Sequence, residues 1–448
     1  METTQILQET SRTLLQSQTQ TIRMVKRGEK MMEKHPRETE KQITNKPKLR
    51  RIMTGLSKRT NALGTENAFT VLAEVNKRLR EGADIKNFCI GQPDFDTPEN
   101  IKQAAIKAIK DGKSGYTPSA GIFELQQAAA NRFSTTRHVE VKPEHVAVAC
   151  GGKPFIYWSI LCTTDYGMGD EIIYPNPGFP IYQSQIIAHG AKPVPLPLVE
   201  EKEFAFDLED LKKRITPKTK MLIINSPQNP TGGVLKKEEL KAIADLAMDH
   251  DFWVYSDEVY STLAYDAPFQ SIASIDGMLE RTIMVDCASK AYAMTGWRLG
   301  YAANKTLAPH FARWMTNTDS CANQPTQWAV VEALNGPQDA SERMAKSFKE
   351  RRDLIVKLLN EIEGIKCLRP GGAFYVWPNV TKACKKVGAK SAEDFRKMLL
   401  DKGVACLADI HFGSKNPGQT EEYVRFSYAT AKDAIVEGMR RVQEFVEK

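Results

Sequence analysis

The stretch KMLIINSPQNPTGGVLKKEELKAIADLAMDHDFWVYSDEVY, residues 220–260, decides the fold. Two short and nearly continuous apolar runs, KMLIIN and FWVYSD, flank a proline- and glycine-stiffened turn and the helical segment KKEELKAIADLAMDH (236–250). A strand buried on both faces of a sheet reads as such a run, and an intervening helix returns the chain to start a parallel neighbour. The same alternation extends outward. HVAVAC, EIIYP and KPVPLPL precede the unit, and TIMVDCAS (282–289) follows it. The pattern predicts an α/β fold with a largely parallel sheet.

Past residue 335 the texture changes. A long charged helix, DASERMAKSFKERRDLIVKLLNEI, leads to GGAFYVWPNV, another helix, GVACLAD, YVRFSYA and a terminal helix, which together predict a smaller α+β unit. Upstream, NAFTVLAEVNKRLREG (67–82) has helical apolar spacing and should stop at Gly82. A second helix should follow IGQPDFDTP, capped by Asp96 or Thr97 with Pro98 near its first turn.

Composition narrows the function classes. The chain has 448 residues, 42% hydrophobic and 26% charged, as folded domains do. No run approaches the ~18 apolar residues of a membrane span, so no membrane partner is expected. Eight scattered cysteines form no C-x-x-C pair, and no two of the seven histidines lie at i, i+4. These counts point to a reducing, cytoplasmic setting and to no metal site. The net charge of +7 suggests a nucleic-acid partner until it is divided: residues 1–52 hold 12 Lys and Arg against six acids, leaving the other 396 residues at +1. A neutral body has no field to gather nucleic acid. The aromatic-free leader 1–52 is expected to be mobile or loosely helical, an appended segment before Met53, and its acids argue against a transit peptide.

Three successive strand ends carry polar groups that could share one ligand, because open parallel sheets bind ligands beyond the carboxyl ends of their strands. KMLIIN ends in Asn225 and Ser226, with Asn229 in the turn; FWVYSD ends in Asp257, with Tyr260 three residues on; TIMVDCAS ends in Ser289 and Lys290, with Arg298 eight residues after the lysine. Singly, each has a duller reading. A lone lysine is commonly a solvated surface residue, a lone aspartate a cap, NPTG a turn and Tyr260 core. Their gathering at three adjacent ends is what points to chemistry.

With IGQPDFDTP, GYTPSAGI, GGKPFIY, NSPQNPTGGV, SDEVY, SKAYAMTGWRLGY, GGAFY and VRFSYA in this order over residues 53–448, the chain resembles the class I, fold-type I pyridoxal-phosphate aminotransferases, in the prokaryotic aspartate-type subgroup. The resemblance implies a large domain (99–335) with a mostly parallel seven-stranded sheet, a small C-terminal domain (336–448), and an arm at 53–98 that partly joins the small domain. It implies pyridoxal 5′-phosphate carried by Lys290, the Schiff-base lysine and proton carrier; Asp257 to keep the ring nitrogen protonated; and Asn229 and Tyr260 on the phenolate oxygen. The phosphate would rest on Gly151, Gly152 and Lys153 at a helix start, with Ser289 and Arg298. Tyr116 would reach the phosphate of the neighbouring subunit, which makes the enzyme a homodimer with shared active sites. Arg425 would clamp the substrate α-carboxylate, with Gly91 and Asn229 also at the substrate, and Phe179 would stack on the ring. Two departures stand out: Phe179 where many relatives carry Trp, and Cys287 where relatives often have Ser.

The activity so implied moves an amino group from an L-amino acid, aspartate first, to a 2-oxo acid, 2-oxoglutarate first, by a ping-pong route. Aromatic, alanine or broad-range transamination shares these motifs, as do a β-lyase, a decarboxylase and a cyclopropane-forming synthase. A transcriptional regulator fused to such a domain would need a winged-helix unit, whose apolar core the leader lacks.

Overall fold

The apolar runs form the strands of one sheet in the computed structural model, which describes residues 55–448. The leader 1–52 lies outside the described residues. Numbered along the chain after a short first strand, β1 (Lys86–Asn87), the strands are β2 (Val146–Ala149), β3 (Glu171–Asn176), β4 (Lys192–Val199), β5 (Ala205–Phe206), β6 (Thr219–Asn225), β7 (Trp253–Asp257), β8 (Thr282–Cys287) and β9 (Gly300–Ala303). Their order across the sheet is β2-β9-β8-β7-β6-β3-β4-β5. The neighbours among β3, β4, β6, β7 and β8 pair in parallel, whereas β9 runs antiparallel to both of its neighbours.

The sheet thus has eight strands rather than the expected seven. The extra one is β5, which turns back at the edge to pair with Leu198 and Val199. Glu203 and Phe204 make that turn with φ of 56° and 62°. Two residues are too short a strand to leave a periodic signature.

Period-two alternation builds the core on both faces. Along β6, Met221 and Ile223 join the apolar cluster of Phe133, Phe155 and Tyr301, while Leu222 and Ile224 join that of Leu240, Ile243 and Phe252 on the opposite face. Each such buried side chain contributes roughly 1.5–3 kcal/mol relative to exposure. The helix Asn67–Arg80 ends before Gly82, whose φ is +90°, as its sequence predicts. The cap prediction at residue 96 or 97 fails. The helix Glu99–Lys110 has Pro98 at its cap and no side-chain cap, because the Thr97 hydroxyl donates instead to the Ala293 carbonyl at 2.9 Å.

Beyond the sheet, the helix Asp339–Asn360 covers a three-stranded sheet of β10 (Tyr375–Val376), β12 (Leu407–Ala408) and β13 (Val424–Ser427). A separate apolar core of Phe348, Phe374, Phe395, Phe426 and Val442 forms there. β1 pairs in parallel with β11 (Val404–Ala405), which brings Phe88 into the same core. For the site, the decisive register is at the carboxyl ends: Asn225 lies opposite Asp257, and Asp257 opposite Val285.

Candidate active site

A cavity of about 590 Å³ opens at those ends, within the range usual for small-molecule sites. Four cationic side chains line it, Lys153, Lys290, Arg298 and Arg425, against two carboxylates, Glu66 and Asp257. An excess of cations favours anionic ligands. Gly91, Gly152, Phe179, Asn229, Tyr260 and Ser289 share the lining.

Asp257 is 8% exposed, and one of its oxygens, Oδ2, accepts the Tyr182 hydroxyl at 2.6 Å. The other, Oδ1, is buried with no well-formed hydrogen bond among the described residues. Burial pushes this carboxyl up to about 6; the Tyr182 hydroxyl and the Val259 backbone N–H oppose the rise, and the nearby Asp286 and Glu258 charges add to it. A buried carboxylate with a free oxygen suits a cationic N–H.

Lys290 sits on the short helix Ala288–Ala291 that leaves β8, and its Nζ donates to the Gly91 carbonyl at 2.5 Å. The same ammonium lies 5.6 Å from the centre of the Tyr260 ring. The Tyr260 and Tyr375 hydroxyls share a hydrogen bond of 2.8 Å. Burial, first, and the neighbouring Tyr375, second, hold the Tyr260 phenol well above its ordinary value. Gly91 has no room for a side chain, since a Cβ there would lie 2.0 Å from the Tyr375 hydroxyl.

At the opposite wall the helix Lys153–Thr163 begins from Gly152, with Pro154 in its first turn. The first N–H groups of a helix lack intrahelical acceptors and carry the positive end of its dipole, which suits an anion. Gly151 takes φ +97°, and a Cβ on it would come within 2.1 Å of Arg298 Nη2. Arg298, itself at φ 55°, donates to the carbonyls of Thr295 and Cys150. Ser289 and the buried Cys287 complete this wall, and burial pushes the Cys287 thiol up.

Arg425, on β13, lies 4.4 Å and 4.7 Å from the ring centres of Tyr375 and Phe412. Its Nη1 donates to Asn229 Oδ1 at 2.8 Å and its Nη2 to the Cys89 carbonyl at 2.5 Å, while the buried Nε has no partner. The Lys153 side chain takes another direction from the cradle that its backbone helps to form. Its Nζ pairs with Glu66 at 2.6 Å and lies 5.4 Å and 5.7 Å from the ring centres of Phe179 and Phe69. Tyr116 is 90% exposed and does not line this cavity. Tyr182, Tyr375 and Glu66 are among the lining groups that the sequence did not mark. Tyr182 stands three residues past Phe179 and Tyr375 closes the GGAFY motif, so both lie beside residues the sequence had marked; Glu66 had no signal.

The model of the aminotransferase class I and II family matches residues 83–441. The chain belongs to that family. It is 37% identical over 400 residues to an aspartate aminotransferase of Bacillus subtilis, covering 88% of this chain and 99% of that one. It is 38% identical over 364 residues to an aromatic-amino-acid aminotransferase of Thermococcus litoralis, covering 80% and 91%. Among solved structures, an aspartate aminotransferase from Thermus thermophilus with maleate superposes with a TM-score of 0.82 at 35% identity, over 88% of this chain and all of the other. This protein is therefore a transaminase, and its cofactor is pyridoxal 5′-phosphate, as in class I aminotransferases.

The residues present fit that cofactor. Unpartnered Asp257 Oδ1 matches a protonated ring nitrogen, and the Gly151 backbone, closed against Arg298, matches a phosphate that must approach main chain. An amine, a phenol and an amide line the same cavity as Asp257 and Arg298.

Proposed function

We propose that this aminotransferase moves the amino group of L-aspartate to 2-oxoglutarate by a ping-pong route, with Lys290 carrying the cofactor and then the proton. The observation that carries the reading of the site is the unpartnered Asp257 oxygen in one cavity with the Lys290 amine and two guanidinium groups. When bound, pyridoxal phosphate supplies an aldehyde that takes up the amino group and a protonated ring that delocalises the electron pair left on Cα. Asp257 holds that ring proton. Lys290 takes the proton from Cα and delivers it to the cofactor's former aldehyde carbon, serving first as base and then as acid. Asn229 and Tyr260 donate to the phenolate oxygen. Gly151, Gly152, Ser289 and Arg298 bind the phosphate, and Phe179 packs on the ring. Arg425 binds the α-carboxylate by a two-bond fork, with Gly91 and Asn229 beside it.

Aspartate is supported by the names of several relatives and by the cation left over. Once Arg298, Arg425 and Lys290 have those roles, Lys153 remains at the cavity, with Glu66 its one charge partner among the described residues. Its ammonium suits a side-chain carboxylate. A second reading, aromatic donors, has its own observation: Phe69 is 57% exposed beside Phe179 at the same ammonium. The tyrosine at 116, exposed and away from this cavity, supports a homodimer in which it completes the neighbour's site. The apolar core of Phe348, Phe374, Phe395 and Phe426, apart from the two clusters that flank the large sheet, supports a large and a small domain, divided near residues 98 and 335. Eight free cysteines suit a reducing cytoplasm.

A panel of amino donors with 2-oxoglutarate tests the substrate. Aspartate should give the highest kcat/KM, and Lys153→Ala should lower that value about tenfold or more while sparing aromatic donors. Preference for aromatic donors in the parent enzyme would sink the aspartate reading. Release of free ammonia in place of transfer would move the enzyme to the lyases.

A further inference from the structure

One buried charge cluster has no part in the chemistry above. Arg137, the last residue of the helix Phe123–Arg137, is 2% exposed. Its Nε donates to Glu258 Oε2 at 2.8 Å, and its Nη2 donates to Asp286 Oδ2 at 2.7 Å and to Ser261 Oγ at 2.8 Å. The second Glu258 oxygen accepts the hydroxyls of Ser256, at 2.9 Å, and Ser271, at 2.5 Å. The second Asp286 oxygen accepts the Cys287 N–H at 2.7 Å.

Stability alone does not account for such a cluster, because buried ion pairs are often no better than apolar packing of the same volume. Its location does. Glu258 directly follows Asp257 at the end of β7. Asp286 follows Val285, the register partner of Asp257, and precedes Ser289 by three residues and Lys290 by four. One planar guanidinium therefore spans the two strand ends that carry the carboxylate and the amine. A planar fork fixes separation and angle together, which a single point charge cannot do.

We propose that Arg137 is a positioning residue of the cofactor site: by clamping Glu258 and Asp286 it holds Asp257 and Lys290 at the separation that the bound ring requires. The proposal rests on the reading of Asp257 and Lys290 given above. Arg137 touches neither cofactor nor substrate, and its effect passes through the two strand ends.

The test uses the full-length enzyme, stripped of cofactor and titrated with pyridoxal phosphate, followed by visible absorbance well below the melting temperature. Arg137→Met removes fork and charge; Arg137→Lys keeps the charge without the fork. Both should raise the cofactor dissociation constant, the methionine variant by about tenfold or more, since small misplacements of reacting groups cost up to ~10²-fold. The lysine variant should fall between it and the parent. In both, kcat should drop while KM for the amino donor stays near the parent value. A melting temperature that falls with cofactor affinity and kcat unchanged would mean packing only and would overturn the proposal. If Arg137→Met does not fold, Arg137→Lys decides by the same readouts. A parent enzyme that took up no pyridoxal phosphate, or held it on a lysine other than Lys290, would overturn the reading of the site itself. Normal uptake at Lys290 with unaffected variants would overturn only the role of Arg137.

Discussion

Replacing Asp257 by asparagine should make the cofactor-free protein more stable while disabling it. Burial raises the Asp257 carboxyl from an ordinary 3.8 to about 6, so the folded chain holds this proton more tightly than the unfolded chain does. For an acid raised in this way, the unfolded state binds fewer protons between those values, and stability falls as pH rises through them. The strain is absent below about 3.8 and complete above about 6. The gap corresponds to up to about 3 kcal/mol at pH 8. Asparagine has the same shape, can still accept the Tyr182 hydroxyl, and carries no charge to bury. Urea unfolding of both cofactor-free proteins should show the variant ahead at pH 8, with its lead shrinking by about half at pH 5. The order should reverse with pyridoxal phosphate present, because only the carboxylate gains a cationic partner. Turnover should fall by several orders of magnitude, since an amide cannot keep the ring nitrogen protonated. Equal stability of the two proteins at both pH values would refute the claim that Asp257 is held ionised at a cost.

Borohydride reduction followed by peptide mapping should place the pyridoxyl label on Lys290, and label on another lysine would remove it from its role. Lys290→Ala should still bind the cofactor, yet lose turnover by at least ~10²–10⁴-fold, the usual contribution of a positioned proton carrier. Arg425→Lys should raise KM for amino and oxo acids alike by about tenfold, because a point charge replaces the fork on their shared α-carboxylate. A loss confined to substrates with one kind of side chain would instead assign Arg425 to side-chain recognition.

The sequence carried the strand ends well because each end is a local pattern. An apolar run stopping at Asn225, Asp257 or Ser289 announces where a side chain leaves the core, and parallel alternation says that those ends are neighbours. Groups joined only through the fold were not legible. Tyr182 meets Asp257 across 75 residues of chain and Arg137 meets Asp286 across 149, so no spacing rule reaches them. Thr97 looked like a cap and is not one, because the Ala293 carbonyl, 196 residues away, takes its hydroxyl. Lys153 shows the finer limit. The GGK motif marked the helix start correctly, but a motif fixes backbone more firmly than it fixes where a long side chain goes.

Asp257 and Glu258 show how one strand end divides structure from chemistry. Both carboxyl groups are buried, and period-two alternation sends them to opposite faces of the sheet. On one face, Glu258 has a guanidinium and two hydroxyls, so that both oxygens are satisfied by the protein. On the other, Asp257 has one hydroxyl on one oxygen and, among the described residues, no well-formed hydrogen bond on the second. Leaving a buried acceptor unmet costs about 1–3 kcal/mol. The imbalance has a direction: the satisfied carboxylate faces Arg137 inside the core, and the unsatisfied one lines the cavity. Arg425 repeats the arrangement, with two nitrogens engaged and Nε without a partner. Where the chain leaves a buried charge incomplete beside its cavity, the missing partner is what the site is built to bind.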